Sequence, residues 1–478
     1  MKKSNLLFLT ILIEGYVVLA CELLAIRQTI PFVGSGIETT AIIISAVLLP
    51  LAVGYHFGGR AYAACFAKAQ AGKFNFPSVR KILIRNMIIS LCFLVFGLFY
   101  ASLEVFFASF HSIGITHRLI QAGIYSVLFL VTPMFLLAQT VPLISNYFSQ
   151  QKLSEITGKM LFFSTAGSFL GSIFSTLVLM TYIGVNNTIF ITLGLLCFLI
   201  WLLSRKNDRY TALYAAVLLI SAYMLNANVL GITNTVSDNA YNIVQLKQIP
   251  DEDSLILRIN RSNSSKYNED REQFFDYIKY IEKTFIAPLA KAKDRPGEIL
   301  IIGAGGFTLG IDDQKNNFTF VDIDPALKDV SEKHFLKDKL SPNKKFIAAS
   351  AREFVHNNDK SFDLIVIDVF TNSVSIPMEC VTREFLQDVK KRLREDGMVV
   401  VNLIADPAFR DKFTVRYDRT FASVFPVYSR QVIFRYNPWE KEVEDNVFSN
   451  IIYSASLAAL DEKAIYTDDK NTYSLDRP

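Results

Sequence analysis

Hydrophobic and polar positions divide this chain near residue 236. Before that point, seven stretches are almost continuously apolar. They centre on "LLFLTILIEGYVVLACELLAI", "TTAIIISAVLLPLAVGY", "MIISLCFLVFGLFYASLEVFF", "AGIYSVLFLVTPMFLLAQTVPLI", "MLFFSTAGSFLGSIFSTLVLMTYIG", "IFITLGLLCFLIWLL" and "ALYAAVLLISAYMLNANVLGI". A bilayer-crossing helix needs about 20 mostly apolar residues. The pattern therefore predicts an integral membrane domain over residues 1–236 with about seven transmembrane helices. The first stretch reads as a span rather than a cleaved leader: it is too long, has no clear small-residue cleavage site, and more spans follow. The last is the weakest, because Asn226 and Asn228 sit in its end. Small residues in "STAGSFLGS" predict close helix contacts.

After residue 236 the period changes. "AYNIVQLKQI" and "SLILRIN" are short strands around the turn-forming cluster "PDED". "EDREQFFDYIKYIEKTFIAPLAKA" has helical spacing. These elements predict a small β-hairpin subdomain with a linking helix over residues 237–292. Strands and helices then alternate over residues 293–478. The strands are "EILIIG", "FTFVDID", "KKFIAAS", "FDLIVIDVF" and "MVVVNLI". Helices are expected over "PALKDVSEKHF", "AREFVHNN" and "CVTREFLQDVKKRLRE", the last ending at Asp396-Gly397. "YSRQVIFRYN" and "NVFSNIIYSAS" read as closing strands. Repeated strand–helix units with apolar strands predict a doubly wound parallel sheet. The fold class is thus a multi-span helical membrane domain followed by an α/β domain of Rossmann type.

Charge sharpens the division. Up to residue 236 there are fifteen Lys/Arg and six Asp/Glu; from 237 there are thirty-four and thirty-nine. The net charges, +9 and −5, make up the +4 of the whole chain. An acidic second half lacks the basic patch a nucleic-acid binder needs. Within the first half, thirteen Lys/Arg fall at one set of span ends and only Arg27 and Arg118 at the other. The positive-inside rule places the N-terminus in the cytoplasm of a multi-pass protein of the cell membrane. Seven crossings would then leave residues 237–478 outside. Glu14 and Glu22 lie in the first span, within about 80° of one another on a helix of 3.6 residues per turn. Carboxylates in hydrocarbon are costly and suggest cation or proton handling. Pairing of Glu22 with Arg27 and a bond from Glu14 to a neighbouring helix is the plainer alternative. The five cysteines and five histidines show no metal-ligand spacing, so no metal is expected.

Candidate chemistry sits in "ILIIGAGGFTLGIDDQKNNFTFVDIDP". Gly303, Gly305 and Gly306 follow the first strand of the sheet, where glycines let backbone approach a ligand and a following helix start would supply N–H donors. Asp322 ends the next strand, where an acid can hold ribose hydroxyls. No Lys-Ser/Thr pair closes the loop, which argues against a nucleoside triphosphate. Asp368 ends the fourth strand, at the carboxyl edge where open parallel sheets bind ligands. A carboxylate there can bind an amine and accept its proton.

The run from "ILIIGAGG" through "VDIDP", "AREF", "FDLIVIDVF" and "TREFLQDVKKRLREDGMVVVN" resembles the spermidine synthase family, the polyamine aminopropyltransferases. The resemblance covers roughly residues 240–460. The first half, with "LACELLAIRQ", "PFVGSGIETT" and "GYHFGGR", looks like the multi-span segment fused to such domains in some bacterial proteins. The resemblance implies a small N-terminal β-subdomain before a domain of the S-adenosylmethionine-dependent methyltransferase type. It implies transfer of an aminopropyl group from decarboxylated S-adenosylmethionine to a small amine, as in polyamine biosynthesis. By it, Gly303 to Gly306 form the cofactor loop, Asp322 takes the ribose and Asp368 organises the attacking amine. Tyr277 matches the substrate-side tyrosine. The chain departs from the family at three carboxylates. "GAGGFTLG" has no Asp between its glycines. Ser350 or Ala351 replaces the adenine-side acid. "DVFTNS" offers Asn372 and Ser373 where a second acid usually follows the catalytic one.

Three readings follow. The first is a membrane-anchored aminopropyltransferase-like enzyme. The second is an S-adenosylmethionine-dependent methyltransferase on the same sheet. The third is a transporter or sensor whose synthase-like domain only binds ligand, with Glu14 and Glu22 its best support. The lipid bilayer is an expected partner in each, and a homo-oligomer is left open by the sequence. An S-adenosyl cofactor is made in the cytoplasm, which pulls against the external placement that the charges favour.

Overall fold

Each long apolar stretch of the first half is helical in the computed structural model. The structure describes residues 3–456 except 70–75, 116, 146–152, 205–208, 227–233, 250–252, 269–273, 293–294, 373–374 and 434–448. The helices are α1 (Lys3–Val33), α2 (Ile37–Ala69), α3 (Phe76–Leu98), α4 (Tyr100–Ser112), α5 (Arg118–Ser145), α6 (Ser154–Ile183), α7 (Val185–Leu203) and α8 (Arg209–Leu225). Six of them (α1, α2, α3, α5, α6 and α7) are long and apolar enough to cross a bilayer. The third apolar stretch, expected as one span, divides at Phe99 into α3 and α4. The Ser102 hydroxyl bonds the Phe96 and Phe99 carbonyls at 2.7 and 2.8 Å, satisfying backbone at the break. The seventh stretch is α8, with 17 residues. At 1.5 Å per residue it is about 26 Å long, a little short of the ~30 Å hydrocarbon layer. Asn226 follows it directly, and Asn228 lies outside the described residues.

Hydrogen bonds fix the direction of α8. Cys197, in the middle of α7, approaches the Ala215 carbonyl at 3.6 Å. Asn226, beyond the end of α8, donates to the Asn187 side chain at the start of α7 at 3.0 Å. So α8 runs antiparallel to α7 along its length. Asn186 donates from its backbone and its side chain to one Asp238 oxygen, both at 2.8 Å. Arg27, near the end of α1, donates to the Asn239 carbonyl at 3.1 Å. Residues 238–239 therefore lie at the end of the bundle where α1 finishes and α7 begins. Arg80, early in α3, reaches the Leu203 carbonyl at the opposite end at 2.9 Å.

Glycine sets the spacing between α1 and α6. A Cβ on Gly167 would lie 2.0 Å from the Leu12 carbonyl oxygen, and one on Gly171 2.3 Å from that of Tyr16. The two backbones touch where the small residues of "STAGSFLGS" allow it, as expected of small-residue interfaces. Glu14 and Glu22 are both buried in α1. Glu14 Oε2 has no hydrogen-bond partner among the described residues.

The chain divides into two compact units, residues 1–33 with 37–240, and 34–36 with 241–478. In the second, β2 (Ile243–Ile249), β3 (Ser254–Ile259) and β4 (Ser262–Tyr267) pair antiparallel; β1 (Thr235–Asp238) ends the first unit. The strand β4 was not expected. Its polar sequence, "SNSSKY", reads as loop, but Ser262, Ser265 and Tyr267 are buried. Asn260 and Arg261 join β3 to β4 with φ of 47° and 72°. Two central residues at positive φ make the type I′ hairpin turn that suits strand twist. Arg in the second position hides that turn from a search for Asn-Gly or Asp-Gly.

After α9 (Asp276–Ile281), the main sheet comprises β5 (Glu298–Ile302), β6 (Asn317–Asp322), β7 (Lys344–Ala348), β8 (Phe362–Ile367), β9 (Leu393–Ala405), β10 (Val427–Ile433) and β11 (Ser449–Ser456). Its order is β10-β11-β9-β8-β5-β6-β7, parallel from β9 through β7 and antiparallel at β9-β11-β10. Helices α10 (Ala351–Asn357), α11 (Arg383–Lys391) and α12 (Lys412–Ala422) connect its strands. This is a Rossmann-like, doubly wound α/β fold. Phe385, Leu386 and Val389 of α11 and Phe413, Tyr417 and Phe421 of α12 pack on Val399, Val401 and Leu403 of β9 in one core cluster. Helix α11 stops four residues before its expected end. Strand pairing wins there: Phe362 donates to the Arg392 carbonyl at 2.8 Å, and β9 begins at Leu393. Gly397 then falls inside β9 rather than capping a helix.

The α1–α6 contact is directly testable. Gly167→Val should destabilise the detergent-solubilised protein by about 1–3 kcal/mol through overpacking. Gly194→Ala, with open space around it, should leave thermal unfolding unchanged. Equal behaviour of the two variants would contradict the close backbone contact.

Candidate functional site

Strand order reverses at β5, because β6 and β7 lie on one side of it and β8 and β9 on the other. Open parallel sheets bind ligands at such a switch point, beyond the carboxyl ends of the strands. Gly303, Asp322 and Asp368 each stand at one of these ends. The ladder continues into them: Gly303 donates to the Val321 carbonyl, Asp368 to that of Ile302, each at 2.8 Å, and Ala349 to that of Asp322 at 2.9 Å.

The three glycines have different duties. Gly303 has φ of 94°, and a Cβ there would lie 2.0 Å from the Asp368 carbonyl oxygen. Only glycine fits between β5 and β8. Gly305 has φ of 50° and faces the hydroxyls of Ser264 and Ser265. Gly306 donates its N–H to Ser265 Oγ at 2.9 Å, and a Cβ there would meet the Phe335 ring at 2.4 Å. No helix follows the loop: residues 304–316 form turns. Phe307 at φ 60° and Gly310 at φ 66° take left-handed backbone that a helix does not allow. The expected helix-start donors are therefore absent, and the loop offers individual backbone amides instead.

Asp322 holds that loop in place. Its Oδ2 accepts the Ala304 N–H at 3.0 Å and its Oδ1 the Asp324 N–H at 3.1 Å. Burial pushes its carboxyl up to about 6 against the pull of those amides, and the Asp324 charge adds to the rise. Asp324 in turn accepts from Asn242, which accepts from Asn260. The β2–β4 sheet is thus tied to the loop after β6. Ser350 and Ala351 follow β7, the neighbouring strand; Ser350 is the N-cap residue of α10, and its side chain makes no cap bond.

Asp368 and Tyr277 meet. The Tyr277 hydroxyl donates to Asp368 Oδ2 at 2.9 Å, with a longer approach of 3.4 Å to the Ser264 carbonyl. Asn402 of β9 donates to Asp368 Oδ1 at 2.8 Å. Burial raises the Asp368 carboxyl to about 6, and the bonds from Asn402 and Tyr277 oppose that rise. A carboxylate near neutrality, held on both oxygens by neutral donors, is suited to accept a proton. Asn372 spends its carbonyl on the Ser375 N–H at 2.8 Å, closing its own turn. Ser373 lies outside the described residues.

Sequence reasoning missed Asn402, Asn450, Ser265 and Asn242. Asn402 had a signal: it is the polar residue in the apolar run "MVVVNLI", and it is buried. Asn450 donates to the Asn402 carbonyl at 2.8 Å. Its partner is 48 residues away, a pairing no local pattern reveals. Among the described residues no group of three or more His, Cys, Asp or Glu is placed to hold a metal.

Comparison with known proteins bears on the same region. A family model described as the spermine/spermidine synthase domain matches residues 279–438. A polyamine aminopropyltransferase of Vibrio vulnificus (strain CMCP6) is 27% identical over 172 residues, 34% of this chain and 56% of that protein. One of Oceanobacillus iheyensis is 24% identical over 412 residues, 79% of this chain and 78% of that protein. A crystal structure of a probable spermidine synthase from Corynebacterium glutamicum aligns at 21% identity over 45% of this chain and 77% of that one, with a TM-score of 0.37. The chain thus spans about half the length of the Vibrio relative. The region similar to the spermine/spermidine synthase domain, residues 279–438, falls within the second compact unit.

Proposed function

We propose that the chain is a membrane-anchored, aminopropyltransferase-like enzyme that joins an aminopropyl group from decarboxylated S-adenosylmethionine to a small amine. The observation that carries this reading is Asp368: buried, engaged by Tyr277 and Asn402, and set at the strand switch point. When bound, the nucleoside substrate supplies a carbon activated by its sulfonium, which departs as a neutral thioether as the amine nitrogen bonds to that carbon. The residues present fit such a ligand. Asp322 keeps lone pairs for ribose hydroxyls beside the two amides it accepts, and the glycine loop leaves room for a close backbone approach. Asp368 takes the proton from the amine, so the nitrogen attacks with a free lone pair. Tyr277 and Asn402 hold that carboxylate in one orientation.

The acceptor site has fewer acids than the family resemblance implies. Asn372 is committed to its own turn, so it offers no charge to a distant second ammonium. A monoamine, or an amine whose second nitrogen is uncharged, fits this donor set better than a diamine. The helical unit supports membrane anchoring through its six long apolar helices, and the similarity to the Oceanobacillus protein extends into that half. The antiparallel return of α8 supports a seventh crossing, with residues 238–239 at the end opposite Arg80 and Leu203. With the basic loops in the cytoplasm, the synthase-like domain lies outside.

Four measurements test this reading. Asp368→Asn should lower turnover by about 10² or more while nucleoside binding survives; a variant as fast as the parent would make Asp368 structural. Because the attacking amine needs the ionised carboxylate, kcat/KM should fall as pH drops through about 6. Asp322→Ala should weaken methylthioadenosine binding roughly ten- to a hundred-fold, the usual worth of a charge-assisted bond, and unchanged affinity in the folded variant would remove Asp322 from the ribose. A reporter fused after Pro478 should be active outside the cytoplasm. Activity only inside would reverse the topology.

A further inference from the structure

Three strands carry a chain of polar side chains into the site. Asp368 follows β8, Asn402 lies in β9 and Asn450 lies in β11, neighbours in the order β8-β9-β11. Asn450 Nδ2 donates to Asn402 Oδ1 at 2.8 Å, and Asn402 Nδ2 donates to Asp368 Oδ1 at 2.8 Å. Both asparagines are buried. They share one sheet face, because Ile451 pairs with Leu403 and both belong to the core cluster on the other face.

We propose that Asn450 is a positioning residue: it fixes which end of the Asn402 amide points at Asp368. This rests on the transferase reading for its catalytic meaning, but its geometry stands apart from it. A primary amide has an acceptor end and a donor end of nearly the same shape. Packing alone therefore leaves Asn402 two orientations. Turned one way it donates to the carboxylate; turned the other, its carbonyl lone pairs face the carboxylate and repel it. The Asn450 N–H captures the carbonyl end, so the donor end must face Asp368. Away from water both the attraction and the repulsion are strengthened.

The consequence is electrical. A donor favours the ionised carboxylate and opposes the rise that burial causes. Tyr277 of α9 is the titratable group that acts on Asp368; Asn402 is the other bonding partner, and no charged side chain among the described residues contributes. The amide sense of Asn402 is thus the adjustable part of the balance. The antiparallel β10–β11 pair, which otherwise closes the sheet edge, gains a part in setting the protonation of the site.

The test is a pH titration of the Asp368 carboxylate in the full chain by isotope-edited infrared spectroscopy, its band assigned by loss in Asp368→Asn. The parent should titrate near 6. Asn402→Leu should raise the midpoint by about one pH unit, the scale of a hydrogen bond to a charged group. Asn450→Leu should raise it in the same direction. Asn450→Ala, which only removes atoms, carries the test if the leucine variant does not fold. The acid limb of kcat/KM should move with the infrared midpoint. A parental midpoint in folded Asn450 variants would overturn the proposal, even if Asn402→Leu shifts. A shifted midpoint in the Asn450 variants, with the parent inactive towards every amine, would support the positioning role and sink the transferase reading.

Discussion

Residue 303 has no room for a side chain. A Cβ there would stand 2.0 Å from the Asp368 carbonyl oxygen, so β5 and β8 leave the sheet in near contact. That approach puts the end of one strand, with its glycine loop, beside the end of another, with its carboxylate. The rest of the site is arranged around it. Asp322 anchors the loop through the Ala304 amide, Ser265 receives the Gly306 amide, and Tyr277 and Asn402 engage Asp368. A larger residue at 303 would push β5 from β8 and disperse groups that come from six different elements.

The same geometry explains why burial pushes the Asp368 and Asp322 carboxyls both up to about 6. Each is buried at a strand end and satisfied by neutral donors rather than by a cation. Asp363, at the other end of β8, is the contrast. It is buried too, but Arg295 and Arg394 bond it at 2.7 and 2.6 Å. Paired carboxylates hold a fold together. A carboxylate held only by an amide and a phenol keeps the capacity to take up a proton.

What could be read from the sequence was whatever short-range pattern controls. Apolar runs bounded by Gly or Asp located β5, β6 and β8, and with them Gly303, Asp322 and Asp368. Two failures came from local rules that tertiary pairing overrides. The helix over "CVTREFLQDVKKRLRE" ended early because Leu393 pairs with Phe362. The helix expected after the glycine loop never starts, since Phe307 and Gly310 adopt positive φ. Strand β4 was invisible for another reason. Its Ser265 is buried against the glycine loop, as a hydrogen-bond acceptor and not a solvent-facing loop residue. The link from Asn450 through Asn402 to Asp368 joins residues 48 and 34 positions apart, a scale on which periodicity carries no information.

The helical unit raises a different physical question. An anchor needs only an apolar surface and internally satisfied backbone. Helix α1 has more than that. It buries Glu14, with Oε2 unpartnered, and Gln28, with neither side-chain oxygen nor nitrogen partnered among the described residues. Fourteen residues separate them, about four helical turns, so they project from nearly one face of α1. Unsatisfied polar groups cost free energy in an apolar interior, and close packing of α1 on α6 through Gly167 and Gly171 shows that this helix is well fitted elsewhere. Anchoring accounts for the glycines and the apolar positions. It does not account for Glu14 Oε2 or the Gln28 amide, which have no hydrogen-bond partner among the described residues. The buried polar groups of α1 therefore set this helical unit apart from one built on apolar contacts alone.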